Sequence, residues 1–261
     1  MAFRTGNPAL NDKTFRDAIE DGGGGVSPMQ GGSAIVSGDA MTLDGTVAKS
    51  FILLALLLAA AGVTWHLVAT GSALAGLLMI GGAIAGFVVA LVTIFNKKAS
   101  PITAPLYAIC EGLFLGGISG AFDAEYKFIV IQAVALTIGV FGTLLTAYVT
   151  RVIKPTENFK LGIVAATGGI ALVYLVSIVL GFFHVTVPFI HSSGPIGIGF
   201  SLFVVVIAAL NLVLDFDFIE TGAAMRAPKY MEWYAGFGLL VTLVWLYLEI
   251  LRLLAKLRSR D

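Results

Sequence analysis

The chain has a single cysteine, Cys110, in 261 residues. No disulfide can form within it, and a metal site built on several cysteines is excluded. Charge is also scarce. Asp, Glu, Lys and Arg make up 12% of the sequence, about half of what a soluble domain carries. There are three histidines, His66, His184 and His191. Acidic and basic residues cancel, so net charge says nothing about partners. The opening residues lack a basic patch followed by a short apolar core, so no cleavable signal peptide is expected. The first apolar helix is then expected to act as both targeting signal and anchor.

What the chain has in excess is apolar surface. Hydrophobic residues make up 58% of it, and the mean hydropathy is +0.95. Residues 1–46 are polar and glycine-rich, with Gly22–Gly25 and Gly31–Gly32, and read as a flexible tail with a short ordered piece near Asn11–Glu20. From there seven apolar blocks follow, at 48–69, 74–95, 101–121, 127–150, 160–183, 195–220 and 232–255. Each is long enough to cross ~30 Å of hydrocarbon as a helix. Continuous apolar runs, rather than alternation, select helices over barrel strands. The expected fold is an all-α membrane protein, a seven-transmembrane-helix bundle over 47–261 behind a cytoplasmic tail. Small residues recur in the helices, at Gly81, Gly82, Gly86, Gly112, Gly116, Gly117, Gly168 and Gly169. The spacing Gly112-x-x-x-Gly116 permits close helix contact.

Lys and Arg near the helix ends set orientation. They lie before block one (Arg4, Lys13, Arg16, Lys49) and in the second, fourth and sixth loops (Lys97, Lys98; Arg151, Lys154, Lys160; Arg226, Lys229). The first and fifth loops have none, and the third has only Lys127. The N-terminus is therefore expected in the cytoplasm. Seven crossings then place the C-terminus outside, against the preference of Arg252, Lys256, Arg258 and Arg260. Either block seven emerges against the rule, or one of the last two blocks crosses incompletely.

Acids in the apolar blocks are the chemical signal. Asp215, Asp217 and Glu220 lie in ALNLVLDFDFIE, Glu249 in LVWLYLEILRLL, and Glu111 in PLYAICEGLFLGG. A carboxylate at the bilayer centre costs roughly 3 kcal/mol or more. The interiors of the first six blocks offer no Lys or Arg to neutralise one. Asn211 and Asp215 share a helix face, whereas Asp217 lies about 200° round from Asp215. Both acids can face one cavity only if the helix breaks between them. Spacing alone does not show that Asp215 and Glu249 meet. Two carboxyls in hydrogen-bond reach at low dielectric share a proton and titrate as a pair. Such a pair can exchange its proton for a hard cation such as Ca²⁺. The competing structural readings are that Asp215, Asp217 and Glu220 mark a solvated helix end, that Glu249 pairs with Arg252, and that Glu111 is bonded to another helix.

The stretches Leu214-Asp215-Phe216-Asp217-Phe218-Ile219 and Leu246-Tyr247-Leu248-Glu249-Ile250-Leu251 resemble two motifs of the Bax inhibitor-1/YccA-like (transmembrane Bax inhibitor motif) family. The first matches an aspartate followed four residues later by isoleucine, the second a Leu-Tyr-Leu-Asp stretch. The seven-block layout agrees over 48–257, and Asn7-Pro8-Ala9-Leu10 is similar to the longer bacterial branch. The resemblance implies a pH-sensitive Ca²⁺ leak gated by an acidic pair on the last two helices. Carried over, that pair falls on Asp215 and Glu249, with Glu one methylene longer than the usual Asp. These two are also the implied transient Ca²⁺ ligands, with Asp217, Glu220 and Glu111 as candidates for the ion pathway. Some members hold the pair with an arginine in the bundle, but blocks one to three contain none here.

The implied partners are membrane lipid and calcium or another cation, with no cofactor and no nucleic acid. The implied location is the cell (inner) membrane. A proton-coupled secondary transporter would use the same acids, although no internal repeat is evident. A regulatory membrane protein without flux is a third reading. An enzyme is not expected. Gly117-Ile118-Ser119-Gly120 fits a rhomboid-type nucleophile pattern, but the tetrapeptide is weak in a glycine-rich chain, and His184 and His191 read as loop residues.

Overall fold

The computed structural model describes residues 40–183 and 193–259. The tail up to residue 39, and with it His184 and His191, lies outside the described residues. Seven helices are long and apolar enough to span a membrane. They are α1 (Leu43–Ala69), α2 (Leu74–Phe95), α3 (Ser100–Glu125), α4 (Ile129–Val149), α5 (Glu157–Phe182), α6 (Pro195–Ala224) and α7 (Met231–Arg258). A 3-10 turn, Lys97–Ala99, joins α2 to α3. No strand occurs among the described residues. The chain is an all-α membrane protein.

Local chemistry sets several helix ends. Thr42 has extended backbone and its hydroxyl accepts the Gly45 N–H at 3.0 Å, with Asp44 in the first turn. This cap starts α1 five residues before the apolar run at 48, inside the segment read as tail. Thr156 caps α5 in the same way. Gly71, at φ +68°, makes the tight turn from α1 to α2. Pro101 lies in the first turn of α3, where a missing N–H costs nothing. Both α6 and α7 are continuous, so neither of the last two blocks is broken at its acids.

Two compact units divide the chain. The first holds α1, α2, α3 as far as Ala121, the end of α6 from Asp217 and the start of α7 to Leu240. Glycines decide its packing. A Cβ on Gly112 or Gly116 would collide with the Leu57 or Ala61 carbonyl of α1, and one on Gly82 of α2 would lie 2.6 Å from the Cys110 carbonyl of α3. The expected Gly-x-x-x-Gly contact is therefore made, between α3 and α1. Gly81, Gly168 and Gly169 instead face open space and pack against nothing within 4 Å. Tyr107 of α3 meets Phe237 of α7 edge to face at 4.9 Å.

The second unit holds α4, α5, α6 up to Phe216 and α7 from Val241. Phe216 of α6 stacks against Phe141 and Tyr148 of α4 at 5.6 and 5.8 Å. Ile170 of α5 packs with Val204 and Ile207 of α6, flanked by Tyr174, Phe200 and Trp245. Burial is uneven. In the central apolar window of α7, 56% is buried against protein, but only 11% in that of α5. An acid on α7 is therefore held by protein groups rather than by lipid.

Candidate functional site

The second unit carries two polar clusters. The first centres on Asp215 of α6, which is 0% exposed. One turn earlier on the same face, the Asn211 amide donates to Thr167 Oγ1 of α5 and to the Ile207 carbonyl, each at 2.8 Å. Thr242 of α7 stands beside the Asp215 carboxyl. Thr242 is the one hydroxyl at this carboxylate, no cation pairs with it among the described residues, and most of its hydrogen-bonding capacity is unfilled. Buried polar groups are almost always bonded. A carboxyl buried with so few partners is costly to keep ionised without compensation. The donors around it are all oxygens or an amide, a set that suits a hard cation.

The second cluster centres on Glu249 of α7, 2% exposed. The Tyr174 hydroxyl of α5 donates to its Oε1 at 2.9 Å. Arg252, one turn on, donates to both carboxylate oxygens at 2.9 and 3.0 Å and to the Tyr174 oxygen at 2.8 Å. The guanidinium also lies 5.3 Å from the Tyr174 ring centre. One turn further, the buried Lys256 donates to the Gly197 carbonyl and to Ser201 Oγ, at 3.1 and 2.8 Å. Arg258 donates to the Lys127 carbonyl and to Gln132. The cations closing α7 thus serve buried or inter-helix contacts, rather than standing free to set orientation.

Asp215 and Glu249 are not hydrogen-bonded to each other. Thr242 occupies the α7 position beside Asp215, and Glu249 lies seven residues further on, about 10 Å along the helix axis. The expected pairing is absent from this structure because of hairpin register. Helix α6 runs nine residues past Asp215, to Ala224, and α7 needs a comparable length from Met231 to return to that level. That length ends near Thr242, short of the Leu-Tyr-Leu-Glu stretch.

The remaining acids lie elsewhere. Asp217 and Glu220 are half-buried on the part of α6 that belongs to the first unit. Because α6 is unbroken, Asp217 points away from the Asp215 side. Glu111 is half-buried on α3, and a Cβ on Gly86 of α2 would lie 3.2 Å from its Oε2. Among the described residues no three His, Cys, Asp or Glu side chains converge as a metal site. A cation held at Asp215 would have to complete its shell from hydroxyl, amide or water oxygens.

One buried acid carries no motif. Glu232, 0% exposed, opens α7 in the first unit. It accepts from the Thr42 N–H and hydroxyl, both at 2.9 Å, and pairs with Lys229 at 2.9 Å and with Lys49 of α1. In the sequence it is an ordinary first-turn acid. Lys229, three residues before it, is a local partner the sequence offers, but Lys49, remote in sequence, is found only in the fold.

The Bax inhibitor 1 like family model matches residues 7–259, nearly the whole chain. The chain belongs to that family. No curated protein and no solved structure matches it. For a Bax inhibitor 1 like protein, the acid of the α6 motif is the buried one without a cationic partner among the described residues. The acid of the α7 motif is already neutralised by its own helix.

Proposed function

We propose that this Bax inhibitor 1 like protein is a pH-sensitive leak for Ca²⁺ or another cation, with Asp215 as its proton-exchanging group. The observation that carries the reading is the Asp215 carboxyl, wholly buried and without a cationic partner among the described residues. Thr242 stands beside it, and one turn back on the same helix face Asn211 is bonded to Thr167. Protonated, the carboxyl is neutral and offers a passing cation little. Ionised, it can be compensated by a cation. Glu249 acts in this reading as a second point of control, held closed by Arg252 and Tyr174, rather than as the proton-sharing partner of Asp215.

The test is Ca²⁺ flux into proteoliposomes between about pH 5 and pH 8, where buried carboxyls can titrate. Wild type should conduct with a pH midpoint, and Asp215→Asn should lose that dependence. Wild-type flux no greater than that of empty vesicles would end the channel reading and favour a non-conducting role. Ca²⁺ movement that requires an opposing proton gradient would favour coupled transport.

A further inference from the structure

The two polar clusters of the second unit are separated in the same order on all three helices. Along α5 the order is Thr167, Ile170, Tyr174. Along α6, from its far end, it is Asp215 and Asn211, then Ile207 and Val204, then Ser201. Along α7 it is Thr242, Trp245, Glu249. The intervening apolar residues are in contact with one another. Ile170, Val204 and Ile207 form one buried cluster, with Trp245 packed against it. Val204 is 0% exposed and Ile170 4%. Each polar residue flanking this belt has a partner or neighbour on a facing helix. Thr167 bonds Asn211, Thr242 stands beside Asp215, Tyr174 bonds Glu249, and Ser201 bonds Lys256.

We propose that Ile170, Val204, Ile207 and Trp245 form an apolar barrier between two polar chambers, one at Asp215 and one at Glu249, and that this barrier sets the closed-state leak. The inference rests on the conducting reading above and adds to it the place where conduction is stopped. An apolar constriction blocks ions by excluding water, so it needs no charge and no moving plug. A hydrated cation at Asp215 would have to shed water to pass branched aliphatic side chains. Wetting the belt should let it through. The charged groups facing the belt are Glu249, Arg252 and the buried Lys256 on one side and Asp215 on the other. Arg252 cancels Glu249 and Lys256 adds a positive charge, so the second chamber has no net attraction for a cation.

Val204→Thr is the informative variant because it changes polarity at nearly constant volume and leaves packing almost intact. In proteoliposomes, at the pH where wild type conducts least, Val204→Thr should raise Ca²⁺ flux by about tenfold, which corresponds to ~1.4 kcal/mol off the barrier once a hydroxyl helps to wet the belt. Val204→Phe should lower flux at the pH where wild type conducts most. Leu172→Ala, at a lipid-facing site on α5, should change neither. The pH midpoint should stay that of wild type in all three, since Asp215 is untouched. If wild type conducts but Val204→Thr and Val204→Phe match it at both pH values, the barrier is not here and the leak reading survives. If Leu172→Ala raises flux as much as Val204→Thr, the effect is non-specific loosening and the proposal fails. If wild type passes no more Ca²⁺ than empty vesicles, both readings fall together.

Discussion

Asp215 on α6 has Thr242 of α7 beside it, while Glu249 lies about two turns further along α7, bonded to Tyr174 and Arg252. The two acids therefore occupy separate environments. Sites about 10 Å apart with no shared partner usually behave independently, within ~0.5 kcal/mol. Asp215→Asn and Glu249→Gln should accordingly act additively on thermal stability in detergent, and only the first should remove pH dependence from flux. A double-mutant cycle measures this directly. A coupling energy well above that margin would mean that the two carboxyls meet in another state of the protein.

Within the second cluster the two ends of the ion pair are unequal. Glu249 is buried, whereas the Arg252 side chain is 41% exposed. Removing Arg252 leaves a carboxylate stranded in protein, with only Tyr174 to bond it. Removing Glu249 leaves a guanidinium that can turn to water or headgroups. Arg252→Gln should therefore cost about 3–5 kcal/mol, the range for orphaning a buried charge. Glu249→Gln should cost clearly less, and the double variant should recover most of the difference. Unfolding midpoints of the purified variants would decide it, and equal losses for the two single variants would contradict the asymmetry.

The helices themselves were legible because lipid imposes continuous apolar runs of a fixed minimum length, and no other backbone solution competes. Asp215 was legible for the same reason, since an uncompensated acid stands out in such a run. The neighbour of Asp215 was not. Which α7 residue reaches its level depends on where α6 ends and α7 begins, and α6 continues through the polar Glu220 to Ala224. A shift of two turns in that hairpin exchanges Thr242 for Glu249. The lysines and arginines closing α7 look in sequence like orientation signals. Lys256 is instead bonded inside the protein, to Gly197 and Ser201.

The glycines divide into two kinds that sequence does not distinguish. Gly116 faces the Ala61 carbonyl of α1, while Gly168 on α5 faces open space. Gly116→Ala should force α3 away from α1 and cost about 1–3 kcal/mol, as overpacking does. Gly168→Ala should be neutral, or stabilise by up to ~1 kcal/mol through better helix propensity. Thermal unfolding in matched detergent would separate them. A loss at Gly168 comparable to that at Gly116 would mean that α5 meets a second protein surface there.

Glu232 joins the residue that caps α1 to the start of α7, and Gly45 makes room for it. A Cβ on Gly45 would collide with the Glu232 carboxyl. The same node is reinforced where the Met41 N–H donates to the Ala227 carbonyl at 2.6 Å and Ser100 Oγ donates to the Tyr230 carbonyl at 2.9 Å. Glu232→Ala leaves the Thr42 donors without their acceptor, while the partly exposed Lys49 and Lys229 can turn to water, and should cost about 1–3 kcal/mol. Gly45→Ala should also destabilise, because it displaces the carboxyl from these same donors. If displacement of Glu232 is the whole cost of the Gly45 change, that change should add little once Glu232 is alanine. Stabilities of the two single variants and the double variant form the test. Full additivity would show that Gly45 is required for some reason other than the close approach of Glu232.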